Sequence, residues 1–332
     1  MSDNSTLATL VTQATTEDPT KVTFIDAVIV FLCISLSVLI SAVNALTIVV
    51  IRATPSLRTL TNAYVVSLAA ADLIVGISLT PTGLFFLPPT RYSLFFRFVN
   101  LCLLINAINI GMAGTSFVHL AMVSIDRYLY ISKPFIYEKY MTVNVALGFI
   151  ILCWITGAVY VFLPQIFHNP YGAVPVCSPT ILFPEWYMFY GAWVAFFLCA
   201  AVIFTMCYLI IRTAVKQRNA IRATDTTGNS NTTVGISRST MKTLKYFFTV
   251  FGVFFVCITP TVLCMGLDYY IRVPAFVFNA FAMLALTNSG MNFIILTVQN
   301  KGFRRSMFKM LSCYVCFDSW KENLNSLSPT HV

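Results

Sequence analysis

Three ionisable side chains stand inside long apolar stretches of this chain. They are Asp72, which closes the run Leu68-Ala69-Ala70-Ala71-Asp72, and the adjacent pair Asp126-Arg127, followed by Tyr128. Charge in such surroundings can bind an ion or water, or pair with an opposite charge and be released from it. Mid-bilayer, an ionised carboxylate costs about 2.5–3.5 kcal/mol on insertion scales and therefore needs partners. Asn44, Asn288, Ser289 and Asn292 lie at comparable depth in other apolar runs, and a polar cluster of these with Asp72, holding a sodium ion or water, would satisfy it. A purely structural network is the alternative. His119, His168 and His331 are scattered, and no nucleophile–base pair or metal cluster emerges, so an enzyme is disfavoured. His119 reads as packing in its span.

The elements that must position these groups are membrane spans. Of 332 residues 58% are hydrophobic and 10% charged, so the chain could not cover its apolar surface in water. A helix needs about 20 apolar residues to cross a hydrocarbon core. Seven runs are long enough, at roughly 24–51, 62–87, 98–131, 142–164, 186–211, 244–267 and 274–298. The net charge of +9 would suggest nucleic acid in a soluble protein, but its distribution marks topology instead. Arg52, Arg58, Arg127, Lys133, Lys139, the stretch from Arg212 to Lys245 and the tail from Lys301 hold 17 of the 21 Lys and Arg on one side. By the positive-inside rule that side is cytoplasmic, so the N-terminus is expected outside and the C-terminus inside.

This predicts an extracellular tail at 1–23 without a cleaved signal peptide, a seven-helix domain with an interfacial helix at 24–311, and a cytoplasmic tail at 312–332. Asn4 fits a glycosylation acceptor on the outer side. The residues from Phe303 to Leu311 put Phe303, Met307, Met310 and Leu311 on one helical face with cations opposite, as expected of a helix lying on membrane lipid. Cys313 and Cys316 beyond it are juxtamembrane and suit palmitoylation, with inert thiols the alternative. Of the other eight cysteines, Cys102, at the outer start of the third span, and Cys177, in the second outer loop, lie in oxidising territory and would staple that loop to the third span. Cys33, Cys153, Cys199, Cys207, Cys257 and Cys264 read as buried small apolar residues. The terminal Thr330-His331-Val332 fits a PDZ-scaffold ligand, with an uninvolved tail equally open.

Asp126-Arg127-Tyr128 ends the third span. Together with Asn44, the Leu68–Asp72 run, Trp154, Tyr208, Phe254-Phe255-Val256-Cys257-Ile258-Thr259-Pro260 and the Cys102/Cys177 pair, in that order and spacing, it resembles the rhodopsin-like (class A) G-protein-coupled receptors along nearly the whole chain. No subfamily is indicated. The resemblance implies an all-α, seven-transmembrane bundle in the plasma membrane with a short amphipathic eighth helix. It implies heterotrimeric G proteins and arrestin as partners, and activation through Asp126, Arg127, Tyr128, Tyr208, Phe254, Pro260 and Asn292. Arg127 would be restrained by Asp126 at rest and reach towards Tyr208 and the G protein when the sixth span swings out.

Departures from the family pattern are as informative. Phe293 follows Asn292 where Pro is usual, Leu296 replaces a Tyr, Ala200 a Pro, Ile258 an aromatic and Thr240 an acid. By alignment the ligand cavity includes Asn109, Met112, Ala113, Trp193, Phe196, Thr261, Val262, Met265, Ala282 and Leu286. Asn109 stands where amine receptors carry Asp, so a protonated amine would lack its counter-ion. The cavity therefore favours a neutral small molecule, a lipid or an apolar peptide end. A transporter, or a seven-helix receptor without conventional G-protein signalling, are the competing readings.

Overall fold

The computed structural model describes residues 22–84, 87, 99–167, 183–184, 186–225, 238–268, 271 and 273–312. Among these, every regular element is helical, and seven helices are long and apolar enough to cross a membrane. They run Phe24–Ala53, Leu60–Leu84, Val99–Ser132, Val143–Phe167, Tyr187–Val194 continuing as Ala195–Asp225, Arg238–Leu267 and Ala275–Gln299. Helices are the physical answer to the composition, because in lipid each backbone N–H and C=O must be satisfied within its own segment. Thr23 starts the first span with a capping box, its side chain accepting from the Asp26 N–H while Asp26 returns a bond to the Thr23 backbone.

Lipid tails are as apolar as Leu, so the spans adhere through close packing of small residues and through polar contacts. Spans one and two show both. Ser37 Oγ donates to the Gly76 carbonyl at 2.6 Å, and a Cβ at Gly76 would lie 2.6 Å from Ser41 Oγ. Spans three and four meet equally closely at Gly157, where a Cβ would lie 1.8 Å from Thr115 Oγ1. Buried Phe117, Phe196, Ile203, Phe251 and Phe254 fill the middle of spans three, five and six.

Two elements lie outside the sequence expectations. Span five begins as a π-helix over Tyr187–Val194, so this segment departs from α geometry without the proline that Ala200 replaces. The Gly191 carbonyl there accepts from Tyr160 at 2.6 Å, and Tyr187 donates to the Tyr160 carbonyl at 2.8 Å. A short helix, Pro134–Tyr140, follows span three. The last helix covers 301–312, with Phe303 and Met307 buried against Val50, Leu57 and Leu296. Met310 packs beside them, and Leu311 is exposed. At 100° per residue Leu311 points about 80° away from Phe303. Span seven is unbroken through Phe293. Cys199 is only partly buried, whereas the other five span cysteines are buried.

Candidate functional site

Span three carries two polar centres, one at its inner end and one at mid-depth. At the inner end Asp126 is 1% and Arg127 6% exposed. Arg127 Nε donates to Asp126 Oδ2 at 2.8 Å, and Nη2 binds the same oxygen. Two residues outside the sequence motif complete the arrangement. Thr61, at the start of span two, accepts from Arg127 Nη2 at 2.8 Å, and Tyr137 in the short loop helix donates to Asp126 Oδ1 at 3.0 Å. Burial, and then the charge of Asp126, push the Tyr137 phenol up to about 12, so it stays protonated and can donate. The guanidinium also lies 5.2 Å from the Tyr130 ring centroid. Arg127 is thus held by groups of spans two and three, and the loop helix holds its partner Asp126. Tyr128 instead packs on Ile131 and Ile210, and Tyr208 is exposed on span five.

At mid-depth Asp72 is fully buried. Asn292 Nδ2 donates to its Oδ2 at 2.9 Å, Ser116 Oγ to its Oδ1 at 3.3 Å, and the Ser289 hydroxyl also faces the carboxylate. Asn44 Nδ2 bridges from span one to the Ser289 carbonyl at 2.9 Å. Asn288 is buried. Of the residues expected around Asp72, Asn292 and Ser289 thus reach its carboxylate and Asn44 reaches Ser289, while Ser116 adds span three. A small crevice lined by Asn44, Thr47, Leu68, Asn292 and Leu296 adjoins them.

One polar chain went unread in the sequence. Trp154 Nε1 donates to Ser67 Oγ at 3.0 Å, Ser67 Oγ lies 2.8 Å from His119 Nε2, and His119 Nδ1 lies 2.8 Å from the Thr115 carbonyl. A carbonyl only accepts, so Nδ1 carries the proton and Nε2 accepts from Ser67. Every member is then satisfied by a neutral imidazole. The available signal was the helical spacing of Thr115 and His119, four residues apart on one face of the third span.

Between spans three, five and six, Phe117 lies stacked against both Phe196 and Phe254, with centroids 4.9 Å away in each case. Trp193 rests its indole edge on Gly266, and its N–H has no partner among the described residues. Thr261 donates to the Phe281 carbonyl at 2.7 Å, joining spans six and seven. Val262 joins the Phe117 cluster, Met265 packs against the cluster that holds Cys102, and Leu286 against the one that holds Met112. Ala113 and Ala282 are half-buried. Asn109 turns to span two, where its Oδ1 accepts from Ser78 at 2.6 Å and its Nδ2 donates to Thr82 at 2.9 Å. Cys102 is disulfide-bonded. Cys177, Asn4, Cys313, Cys316, Thr330 and Val332 lie outside the described residues.

Residues 43–296 match the family described as 7 transmembrane receptor (rhodopsin family). The chain is 28% identical to 5-hydroxytryptamine receptor 6 of Mus musculus over 317 residues, covering 84% of this chain and 69% of the relative. It is 27% identical to the D(1A) dopamine receptor of Didelphis virginiana over 301 residues, 76% of this chain and 66% of the relative. It is also 27% identical to adenosine receptor A2b of Mus musculus over 314 residues, 87% and 91% of the two chains.

Proposed function

The chain belongs to the rhodopsin family of seven-transmembrane receptors, and from that premise we propose that it reports a neutral or apolar extracellular ligand to heterotrimeric G proteins. As a G-protein-coupled receptor it is a multi-pass plasma-membrane protein and a signalling receptor, not an enzyme. Its relatives are named for amines and for adenosine, so the choice between charged and neutral ligands has to come from this chain's own residues. The observation that carries the choice is Asn109. It is an amide rather than a carboxylate, and both ends of that amide are engaged by Ser78 and Thr82. Among the described residues the outer ends carry only Asp26 and Asp268, and these acids are taken up by Thr23 and by the Val273 N–H. Among the described cavity residues none is a carboxylate, so a protonated amine finds no counter-ion among them, whereas an apolar or neutral molecule suits the surroundings of Phe117, Phe196, Trp193 and Val262.

The test is a second-messenger and arrestin screen of neutral, lipid, peptide and amine ligands on the native receptor and on Asn109→Asp. Neutral or apolar compounds should activate the native receptor, and amines should gain potency only in the variant. Amines that activate the native receptor with ordinary potency would overturn this ligand class.

One observation favours a second reading, signalling without conventional G-protein coupling. Leu296 is 3% exposed and packs against Phe303, so the seventh span offers no hydroxyl where the family pattern has Tyr. An arrestin response without any G-protein response in the same screen would select it.

We propose further that Cys102 pairs with Cys177, which free thiols at both positions in mass spectrometry of surface receptor would refute. Asn4 glycosylation, palmitoylation of Cys313 and Cys316, and PDZ binding by Thr330 and Val332 follow from the inferred sidedness. They are tested in turn by glycosidase shift, by hydroxylamine-sensitive acyl labelling, and by peptide pull-down with Val332→Ala as control.

A further inference from the structure

Tyr64 is 1% exposed, among the largest fully buried side chains of the molecule, yet its hydroxyl has no hydrogen-bond partner among the described residues. Phe would fill the same space without burying an idle O–H, so the hydroxyl points to an arrangement other than this one in which it is used. Its neighbours indicate which. Tyr64 lies three residues beyond Thr61 on span two, hence on the same helical face, and Thr61 is the residue that accepts from Arg127. Its phenol lies within electrostatic range of both Asp126 and Arg127.

In the paired arrangement both oxygens of Asp126 are occupied, Oδ2 by Arg127 and Oδ1 by Tyr137. If Arg127 moves away, Oδ2 of a carboxylate that is 1% exposed loses its donors at once. Breaking a buried charge pair is costly because the remaining charge is left uncompensated. A phenol one turn above Thr61, with its proton unused, can supply the missing donor without any change in net charge.

We propose that Tyr64 is the reserve donor of this switch: its hydroxyl, idle while Arg127 is held, donates to Asp126 once Arg127 has left, and so favours the released state. Tyr64 is a positioning residue that acts through Asp126. The inference rests on the reading that Arg127 leaves Asp126 during activation.

A thermal-stability cycle on purified full-length receptor in lipid nanodiscs tests it with neither ligand nor G protein, so its outcome is separable from that of the coupling assignment. The four proteins are the native chain, Tyr64→Phe, Arg127→Met and the double variant, with Arg127→Leu as a second background should the Met variant fold poorly. In the native background Tyr64→Phe is expected to leave Tm unchanged or raise it slightly. With Arg127 replaced, the same substitution should lower Tm by about 2–4 °C, because the hydroxyl is then in use. An equal fall in both backgrounds would show that the hydroxyl is already satisfied in the paired state. No fall in either would show that it is never used. Either result overturns the proposal.

Discussion

Tyr137 donates to Asp126 Oδ1 across 3.0 Å, so the acid that restrains Arg127 is itself held by a residue of the loop helix. The three-residue motif at the end of span three is therefore the middle of a longer chain, from Thr61 through Arg127 and Asp126 to Tyr137.

Removing the loop end of that chain should loosen it. Tyr137→Phe deletes a hydrogen bond to a charged group, about 1.5 kcal/mol, or roughly tenfold in the ratio of paired to released states. Ligand-independent nucleotide exchange on G protein, measured at matched surface expression, is expected to rise towards that limit. An unchanged basal rate would show that Tyr137 does not restrain the switch.

The Trp154–Ser67–His119 chain is predicted to hold spans two, three and four together. Ser67→Ala leaves the Trp154 N–H and His119 Nε2 without their partner, at about 1–3 kcal/mol for each buried group. Tm should fall by several degrees, and a Tm within error of native would mean that other groups satisfy both.

Close helix contact makes two glycines unequal. In Gly157→Ala the new Cβ would sit 1.8 Å from Thr115 Oγ1, whereas at Gly114 it meets nothing within 4 Å. Gly157→Ala should lower the yield and Tm of folded receptor, with partial rescue by Thr115→Ala, and Gly114→Ala should be tolerated. Equal behaviour of the two single variants would contradict the packing described for spans three and four.

Asp72 is the centre at which we propose a sodium ion or water cluster, supported by the convergence of Asn292, Ser116 and Ser289 on its carboxylate. Replacing potassium chloride by sodium chloride at constant ionic strength should raise the Tm of native receptor and leave Asp72→Asn unmoved. A sodium effect that persists in Asp72→Asn would place the ion elsewhere, and no effect on the native receptor would leave water as the occupant.

The spans were legible because lipid imposes one requirement on all of them, a long apolar run that satisfies its own backbone. Asp72 and Arg127 were legible for the converse reason, since charge at that depth needs partners. What the sequence concealed were the partners that are ordinary residue types. Thr61, Ser67 and Ser116 each lie far along the chain from the group they serve, and a lone Ser or Thr in a helix can equally bond its own backbone, as Thr47 does with Val43. Tyr137 was hidden because it sits in a loop, where neither period nor depth marks a residue. The π-helix of span five left no trace, because Tyr187–Val194 is apolar throughout and reads the same in either helical register.

Arg127 is the group we propose is released from Asp126 to engage the G protein, and one variant tests this most directly. Arg127→Ala and native receptor would be compared in cells at equal surface expression, with a panel of G-protein dissociation sensors, both without ligand and with the most effective agonist from the screen proposed above. Agonist binding should persist, because Arg127 lies at the inner end of span three, while both basal and agonist-driven dissociation fall to the level of untransfected cells. Undiminished dissociation in Arg127→Ala would contradict the account.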